Sequence, residues 1–216
     1  SILLLSKKMK DDLAINHSDI TYIGNGFDNT IFKLPETEKR KKIILTVGNL
    51  RWQKDHHTLI KAFSIFTKQN PDYKLIIIGD GDLKEELKEL AFSQGVSKLI
   101  DFKGSLPPLE VAKFMQQSDF FILSSISEGS PKVILEAMSC GLPILSTSVG
   151  DIPNLVQESG MSCKAGDHLI LSKTMSDFVD VLMKMNRKEI SKIISFKSWQ
   201  NVTKTLEHKY KKLIIQ

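Results

Sequence analysis

The chain has 216 residues, of which 41% are hydrophobic, 25% charged and 7% aromatic. This composition excludes a disordered chain, and the length suits one large α/β domain, alone or with a fragment of another. No apolar run approaches the ~18 residues of a bilayer span, and the first basic residues follow the opening apolar run, the reverse of a signal peptide. Two cysteines are too few for a disulfide framework or a zinc site, so we expect a cytoplasmic protein.

The net charge of +5 is compatible with an acidic ligand, a nucleic acid or a membrane surface and selects none of them. The densest basic patch is the run KRKK at 39–42, which we interpret as a solvated loop.

The first 34 residues do not join the pattern that follows. The chain begins at Ser1 within an apolar run, so we expect a piece of a longer polypeptide. Residues 1–22 resemble a strand and a short helix, and two turn glycines, Gly24 and Gly26, favour a linker after them.

From residue 43, short apolar runs alternate with segments of helical period. Runs that are apolar on both faces are typical of parallel strands covered by helices on both sides. The predicted strands are 43–47, 74–79, 98–102, 120–123 and 143–147, with a weaker one near 161–164. The predicted helix faces are Leu59, Ala62, Phe63 and Phe66; Leu83, Leu87, Leu90 and Ala91; and Leu109, Ala112 and Met115. This order predicts an α/β fold, a Rossmann-like doubly wound parallel sheet whose ligands bind at the carboxyl ends of the strands. A final helix is expected within 195–214.

The stretch SEGSPKVILEAMSCGLP (127–143) follows the predicted strand at 120–123. Ser130 can cap a helix there and Pro131 fits its first turn, so the helix start favours a bound phosphate. A capped packing helix, with Glu128 at its positive end, is the alternative. If a nucleotide sugar binds, Glu136 suits a ribose diol and Glu128 the hydroxyls of a second sugar, because carboxylates accept hydrogen bonds from hydroxyls.

Cations for the phosphates are expected in VGNLRWQKD (47–55), the loop after the first long strand. Arg51 can grip phosphate oxygens with two hydrogen bonds, and Lys54 supplies a point charge, although either alone is an ordinary surface residue.

Other motifs are interpreted as structural. The sequence IIIGDGD lacks the third glycine of a dinucleotide fingerprint, which would fall at Lys84. His56 and His57 are helical neighbours whose side chains diverge, so they do not predict a metal site. Cys140 is expected to be a small buried residue.

Five segments in order resemble the retaining glycosyltransferases of family 4. These enzymes have the GT-B fold, in which this chain corresponds to the C-terminal, donor-binding half. The segments are 23–32 (IGNGFDNTIF), 47–63, 75–87, 101–106 (DFKGSL) and 128–156, the last containing the family's E-x7-E pattern at Glu128 and Glu136.

The resemblance implies roles for particular residues. Arg51 and Lys54 would hold the donor's pyrophosphate and stabilise the leaving diphosphate, Glu136 the ribose, and Glu128 the transferred sugar. The binding residues implied with them are Gly129, Ser130 and Pro131 at the sugar and distal phosphate, and Gly104 and Ser105 at the base. No metal or other cofactor is implied. Many family members have Arg immediately after the first-loop glycine, where this chain has Asn49.

The resemblance also implies an organisation and a function. Residues 1–34 would be the remnant of an N-terminal acceptor domain with the linker, 35–195 the nucleotide-sugar-binding domain, and 196–216 a helix packing toward the missing domain. The enzyme would transfer a hexose from a UDP-, GDP- or ADP-sugar to a glycan or lipid-linked acceptor, with retention, in bacterial cell-surface polysaccharide synthesis. It would act in the cytoplasm or at the inner face of the membrane, with no nucleic-acid partner, and the isolated fragment would be inactive. The alternatives are a non-catalytic nucleotide-sugar-binding module and a GT-B nucleotide-sugar epimerase.

Overall fold

A computed structural model describes residues 2–4, 13–14, 20–22, 24–37 and 41–214. The strands are β1 Ile2–Leu4, β2 Ile20–Tyr22, β3 Ile43–Val47, β4 Lys74–Ile78, β5 Ile100–Gly104, β6 Phe120–Leu123, β7 Ile144–Thr147 and β8 Gly160–Cys163. The helices are α1 His56–Phe66, α2 Lys84–Ser93, α3 Pro108–Gln117, α4 Lys132–Ser139, α5 Ile152–Val156, α6 His168–Leu182, α7 Arg187–Ile193 and α8 Trp199–Ile214, with short 3-10 helices at Trp52–Lys54 and Ser195–Lys197.

Strands β3 to β8 form one parallel sheet in the order β5-β4-β3-β6-β7-β8. The chain starts this sheet at β3, winds outward to β5 and then returns to β6 on the other side of β3. The carboxyl ends of β3 and β6 therefore flank the point where the winding reverses, which is where doubly wound sheets bind ligands. The predicted fold class is confirmed.

Helices cover both faces of this sheet because its central strands are apolar on both sides. Helices α1, α2 and α6 pack on one face, with Phe63 and Phe178 fully buried. Helices α3, α4, α5 and α7 pack on the other face through residues such as Met115, Leu135 and Ile190. Burial of each large side chain stabilises the fold by ~1.5–3 kcal/mol. The two layers hold the loops at the carboxyl edge in place.

Most predicted elements are confirmed, with three differences. The third strand of the main sheet begins at Ile100, not 98, because Leu99 N–H donates to the Val96 carbonyl and keeps the preceding residues in a turn. Leu109 was expected on a buried face but is 62% exposed. Helix α3 begins at Pro108, and its buried side chains lie one step further round the helix, at Val111, Ala112 and Met115. Helices α5, α6 and α7 were not anticipated.

Two further backbone pairings lie outside the six-stranded sheet. Strands β1 and β2 form a separate parallel pair. Phe27 lies beside the start of α8: its N–H donates to the Lys197 carbonyl, and its carbonyl accepts from Trp199 N–H at 2.9 Å. The short helix expected within 1–22 and the first two residues of the basic run, 39 and 40, lie outside the described residues, while Lys41 and Lys42 are exposed as expected. Over the described ranges, every helix falls short of the length and apolarity that a bilayer span requires.

Candidate functional site

The loop after β3 is folded against its neighbours. Leu50 is buried, its N–H donates to the Asp80 carbonyl at 3.0 Å, and the chain then forms the 3-10 helix Trp52–Lys54. Asp55 ends that helix in a left-handed conformation, with φ 45° and ψ 50°, and its side chain caps α1 by accepting from Thr58 N–H. The left-handed turn at Asp55 fixes the direction of the Lys54 side chain, whose aliphatic part lies over Gly48.

The loop after β6 is tied to this first loop through backbone groups. Ser124 Oγ donates to the Lys54 carbonyl at 2.8 Å, and Ile126 N–H donates to the Gln53 carbonyl at 2.9 Å. Two segments about seventy residues apart in sequence are thereby held together at the reversal point of the sheet.

An ion pair joins the two loops. Lys54 Nζ lies 2.5 Å from Glu128 Oε1, and their side chains are only 24% and 10% exposed. The same carboxylate oxygen accepts from Ser125 Oγ at 2.6 Å, and the Ser125 carbonyl accepts from Thr147 Oγ1 on β7. Glu128 is therefore held by two donors, one charged and one neutral, and is not a free surface acid.

Helix α4 begins next to this pair, but not as the sequence predicted. Pro131, at φ −71° and ψ 109°, occupies the N-cap position and no side chain caps the helix. The predicted cap by Ser130 is wrong, because a proline at the N-cap displaces the serine one residue out of the cap. Ser130 instead accepts a hydrogen bond from Asn25 Nδ2 through its carbonyl. Ile134 N–H donates to the Pro131 carbonyl at 3.2 Å, and the N–H groups of Lys132 and Val133 are left for a ligand or for solvent.

Glu136 lies on the second turn of α4. Its carboxylate pairs with Lys132 Nζ at 3.1 Å, and its side chain is 13% exposed. It is therefore partly sheltered without being sealed in the apolar core. Lys132 is itself largely exposed, so this contact leaves the carboxylate accessible to a competing hydroxyl.

Two glycines shape the space beside the helix start. A Cβ on Gly129 would meet no atom within 4 Å, so this residue borders open space. Gly150, in the loop after β7, has φ +56°, and a Cβ there would lie 2.5 Å from the Glu128 carbonyl. Gly150 thus permits the close approach that supports the Glu128 loop.

The remaining predicted residues lie at the same edge of the sheet. Arg51 is exposed at the start of the 3-10 helix, and its guanidinium makes no hydrogen bond or ion pair with any residue in the described ranges. Gly104 ends β5 with φ +69°, and Ser105 follows it, exposed. Since β4 separates β5 from β3, these two residues border the far side of the edge from Glu128.

Sequence reasoning missed three residues that build the site. Ser125 binds the Glu128 carboxylate, and Ser124 binds the Lys54 carbonyl. The sequence feature that could have indicated them is the serine-rich run SSIS just before Glu128. Asn25 contacts the helix start from the linker, and its only signal was a polar residue between two turn glycines.

His56, His57 and Cys140 have structural roles. His56 is buried at the start of α1, and burial, with Lys54 and His57 nearby, lowers its pKa to about 4. His57 pairs with Glu86. Cys140 is buried as predicted, and burial raises its pKa to about 12, so its thiol is not a nucleophile at neutral pH. Among the residues that the structure covers, no group of three or more His, Cys, Asp and Glu side chains is arranged to hold a metal ion.

The fold and this edge of the sheet define an α/β protein of the Rossmann-like class. Residues 27–194 match the family model of glycosyl transferases group 1, and the chain belongs to that family. This confirms the resemblance recognised in the sequence.

Similar proteins of known sequence or structure agree with this family assignment. Over 167 residues the chain is 30% identical to N-acetyl-alpha-D-glucosaminyl L-malate synthase from Bacillus anthracis, covering 72% of this chain and 43% of that protein. Sucrose-phosphate synthase from Thermosynechococcus elongatus superposes with a TM-score of 0.85 at 18% identity, over 99% of this chain and 58% of that one. Anabaena HepE, solved in complex with UDP, gives 0.77 at 18% identity, over 89% and 57%. The solved neighbours are GT-B glycosyltransferases, and this chain spans about half the length of these relatives.

Proposed function

We propose that this chain is the donor-binding half of a retaining hexosyltransferase that uses a UDP-, GDP- or ADP-sugar. The observation that carries the proposal is the contact between Lys54 and Glu128 across the reversal point of the sheet, beside the uncapped start of α4. A cation, a carboxylate and free backbone N–H groups at one edge are the donors and acceptors that a nucleotide sugar needs.

Each residue then has a defined task. Lys54 and Arg51 bind the diphosphate. The N–H groups of Gly129 and Ser130, and those of the residues that follow Pro131, bind its distal phosphate. Glu136 accepts from the ribose hydroxyls, Glu128 accepts from the transferred sugar, and the Gly104–Ser105 segment contacts the base. As the bond to the sugar breaks, Lys54, Arg51 and the positive end of α4 stabilise the charge that develops on the leaving diphosphate.

We infer the wider setting from the family. The acceptor, a glycan or a lipid-linked saccharide, would be bound by an N-terminal domain of the complete enzyme, toward which α8 packs. Bacterial cell-surface polysaccharide synthesis, at the cytoplasmic face of the membrane, is the setting that we propose. The isolated chain is expected to bind donor nucleotides and to transfer nothing, since half of the cleft is missing.

Calorimetry on this chain tests the donor site. UDP, GDP and ADP are titrated in turn, and at least one should bind. Lys54→Ala should weaken the bound nucleotide and inorganic pyrophosphate alike, whereas Glu136→Ala should weaken the nucleotide and leave pyrophosphate unchanged. Each lost charge-assisted hydrogen bond corresponds to ~1.5–3 kcal/mol, or about tenfold or more in affinity.

Lys173 and Asp177 provide matched controls, because they form an exposed ion pair midway along α6. Lys173→Ala and Asp177→Ala should leave every affinity unchanged. Absence of heat with all three nucleotides would contradict the donor site, and equal losses of nucleotide and pyrophosphate in Glu136→Ala would contradict the ribose assignment.

A further inference from the structure

The positive charge of the chain is concentrated at one end. Nine of the 30 basic residues, but only two of the 25 acidic residues, lie in the last 34 positions, from Met183 onward. This segment therefore carries a net charge of +7, and the 182 residues before it carry −2. The excess charge belongs to one region and is not a property of the whole surface.

The lysines of this region have no acidic partner among the described residues, which is also true of some exposed lysines elsewhere. The ion pairs between described residues all lie at positions up to Asp177. Within the described chain, Lys184, Lys188 and Lys192 are exposed and form no ion pair. Their charge is therefore left for an external partner.

Apolar side chains lie among these lysines. Met183 is 77% exposed and Phe196 is 63% exposed, and Lys197 Nζ lies 5.9 Å from the centroid of the Phe196 ring. The inner face of the same segment packs into the core through Ile190 and Ile194, so the outer face is fixed in place. We call this outer face the 183–197 surface, which contains Met183, Lys184, Lys188, Lys192, Phe196 and Lys197. One exposed acid, Glu189, lies between Lys188 and Lys192 in the sequence.

This surface begins at the edge of the sheet opposite the donor site and ends beside the linker, where the Lys197 carbonyl accepts from Phe27 N–H. Helix α6 begins after the carboxyl end of β8 and runs back for 15 residues, about 22 Å, to Leu182. The buried side chain of Arg187, on α7, donates to the carbonyls of Ser118 and Cys140, which directly precede the amino ends of β6 and β7. At this same edge, Lys41 Nζ is hydrogen-bonded to Gln117, next to Ser118, and adds a further positive charge.

We propose that the 183–197 surface docks on an anionic lipid bilayer. The exposed cations are lysines, which act as point charges on a negatively charged surface, while the single arginine of the segment is buried. Exposed Met and Phe side chains among lysines suit the interface between headgroups and acyl chains. A nucleic acid would favour exposed arginines for its phosphates.

The proposal extends the membrane association proposed above, and vesicle sedimentation tests it. The 216-residue chain is mixed with vesicles of phosphatidylcholine alone or of phosphatidylcholine with phosphatidylglycerol. We expect binding to the anionic vesicles only, weakened by salt because exposed charges are screened. The triple variant Lys184→Gln, Lys188→Gln, Lys192→Gln should lose on the order of a hundredfold in affinity, since each lysine near such a surface contributes about fivefold.

Matched controls separate this surface from overall charge. Lys61, Lys68 and Lys98 are exposed elsewhere and form no ion pair among the described residues, so their triple change to Gln should retain most of the binding. Phe196→Ser should weaken binding several-fold, whereas Phe92→Ser, at a 78% exposed position, should not.

Several results would overturn the proposal. They are no binding to anionic vesicles, equal losses in the two triple variants, no effect of Phe196→Ser, or tighter binding to single-stranded DNA than to vesicles at the same salt. Titration of the same variants with UDP, GDP and ADP separates this outcome from a failure of the donor site. A variant that binds nucleotide but not vesicles supports both proposals.

Discussion

Glu128→Gln tests whether the Lys54–Glu128 pair competes with the ligand. In the ligand-free chain the amine that we assign to the diphosphate is neutralised by a carboxylate 2.5 Å away. A diphosphate must therefore replace that carboxylate as the partner of Lys54. Glutamine keeps the size of the side chain and an acceptor for Ser125, but it removes the charge that competes with phosphate.

The magnitude follows from the burial of the pair. An exposed ion pair contributes ~0.2–1 kcal/mol, and breaking a buried pair costs ~3–5 kcal/mol. With side chains 24% and 10% exposed, this pair lies between the two cases, so we expect Glu128→Gln to lower the free energy of unfolding by about 2 kcal/mol. For a chain of this size, that is a fall in Tm of about 4–8 °C.

The same substitution should strengthen the binding of inorganic pyrophosphate. Release of Lys54 and loss of a nearby negative charge are together expected to increase the affinity about tenfold, equivalent to ~1.4 kcal/mol. Scanning calorimetry measures the first effect and titration calorimetry the second. Asp177→Asn, at an exposed ion pair, is the control and should change neither. If Glu128→Gln bound pyrophosphate no better than the unmodified chain, the competition would be refuted.

Three further changes probe the fold, two of them near the site and one at the opposite edge of the sheet. Burial lowers the pKa of His56 to about 4 from an ordinary 6.5, so the unfolded chain takes up more protons between these values. Stability should be fully present above about pH 6.5 and fall by ~3 kcal/mol toward pH 4, and His56→Gln should flatten this dependence in pH-resolved urea unfolding. Gly150→Ala should destabilise the chain and weaken nucleotide binding, because its Cβ would meet the Glu128 carbonyl at 2.5 Å, whereas Gly129→Ala, with open space around it, should fold normally by circular dichroism. Arg187→Met should cost about 3–5 kcal/mol in chemical denaturation, because it leaves buried carbonyls without donors; a loss below 1 kcal/mol would contradict this.

The sheet was predictable because its strands are apolar without interruption. Residues 43–47 and 120–123 read as buried parallel strands, and the structure has them with those bounds. The helices α6 and α7 were less evident, because polar residues such as Asp177 and Lys188 interrupt their apolar pattern. Leu109 shows the limit of periodicity: three apolar residues at helical spacing do not reveal which of two adjacent faces is buried.

At the site, residue types were predictable and contacts were not. Glu128, Lys54 and Glu136 were each singled out from the sequence, and the structure places all three partly buried. The direct pairing of Lys54 with Glu128 arises because two loops meet where the winding of the sheet reverses, a long-range effect that no local pattern encodes. The start of α4 shows that local patterns can also mislead. Local preferences favoured Ser130 as the N-cap residue, but Pro131 occupies that position in the structure.

The pairing of Phe27 with Ser198 has a practical consequence for chimeric enzymes. The backbone enters the six-stranded unit and leaves it at adjacent positions, and the Trp199 ring covers Gly26 at that point. A segment whose two ends lie side by side can be excised and inserted elsewhere with two closely spaced joins. Residues 27–198 can therefore be exchanged as one unit between related proteins, with both junctions at the Phe27–Ser198 bridge, and such an exchange tests whether the unit carries the donor specificity that we propose.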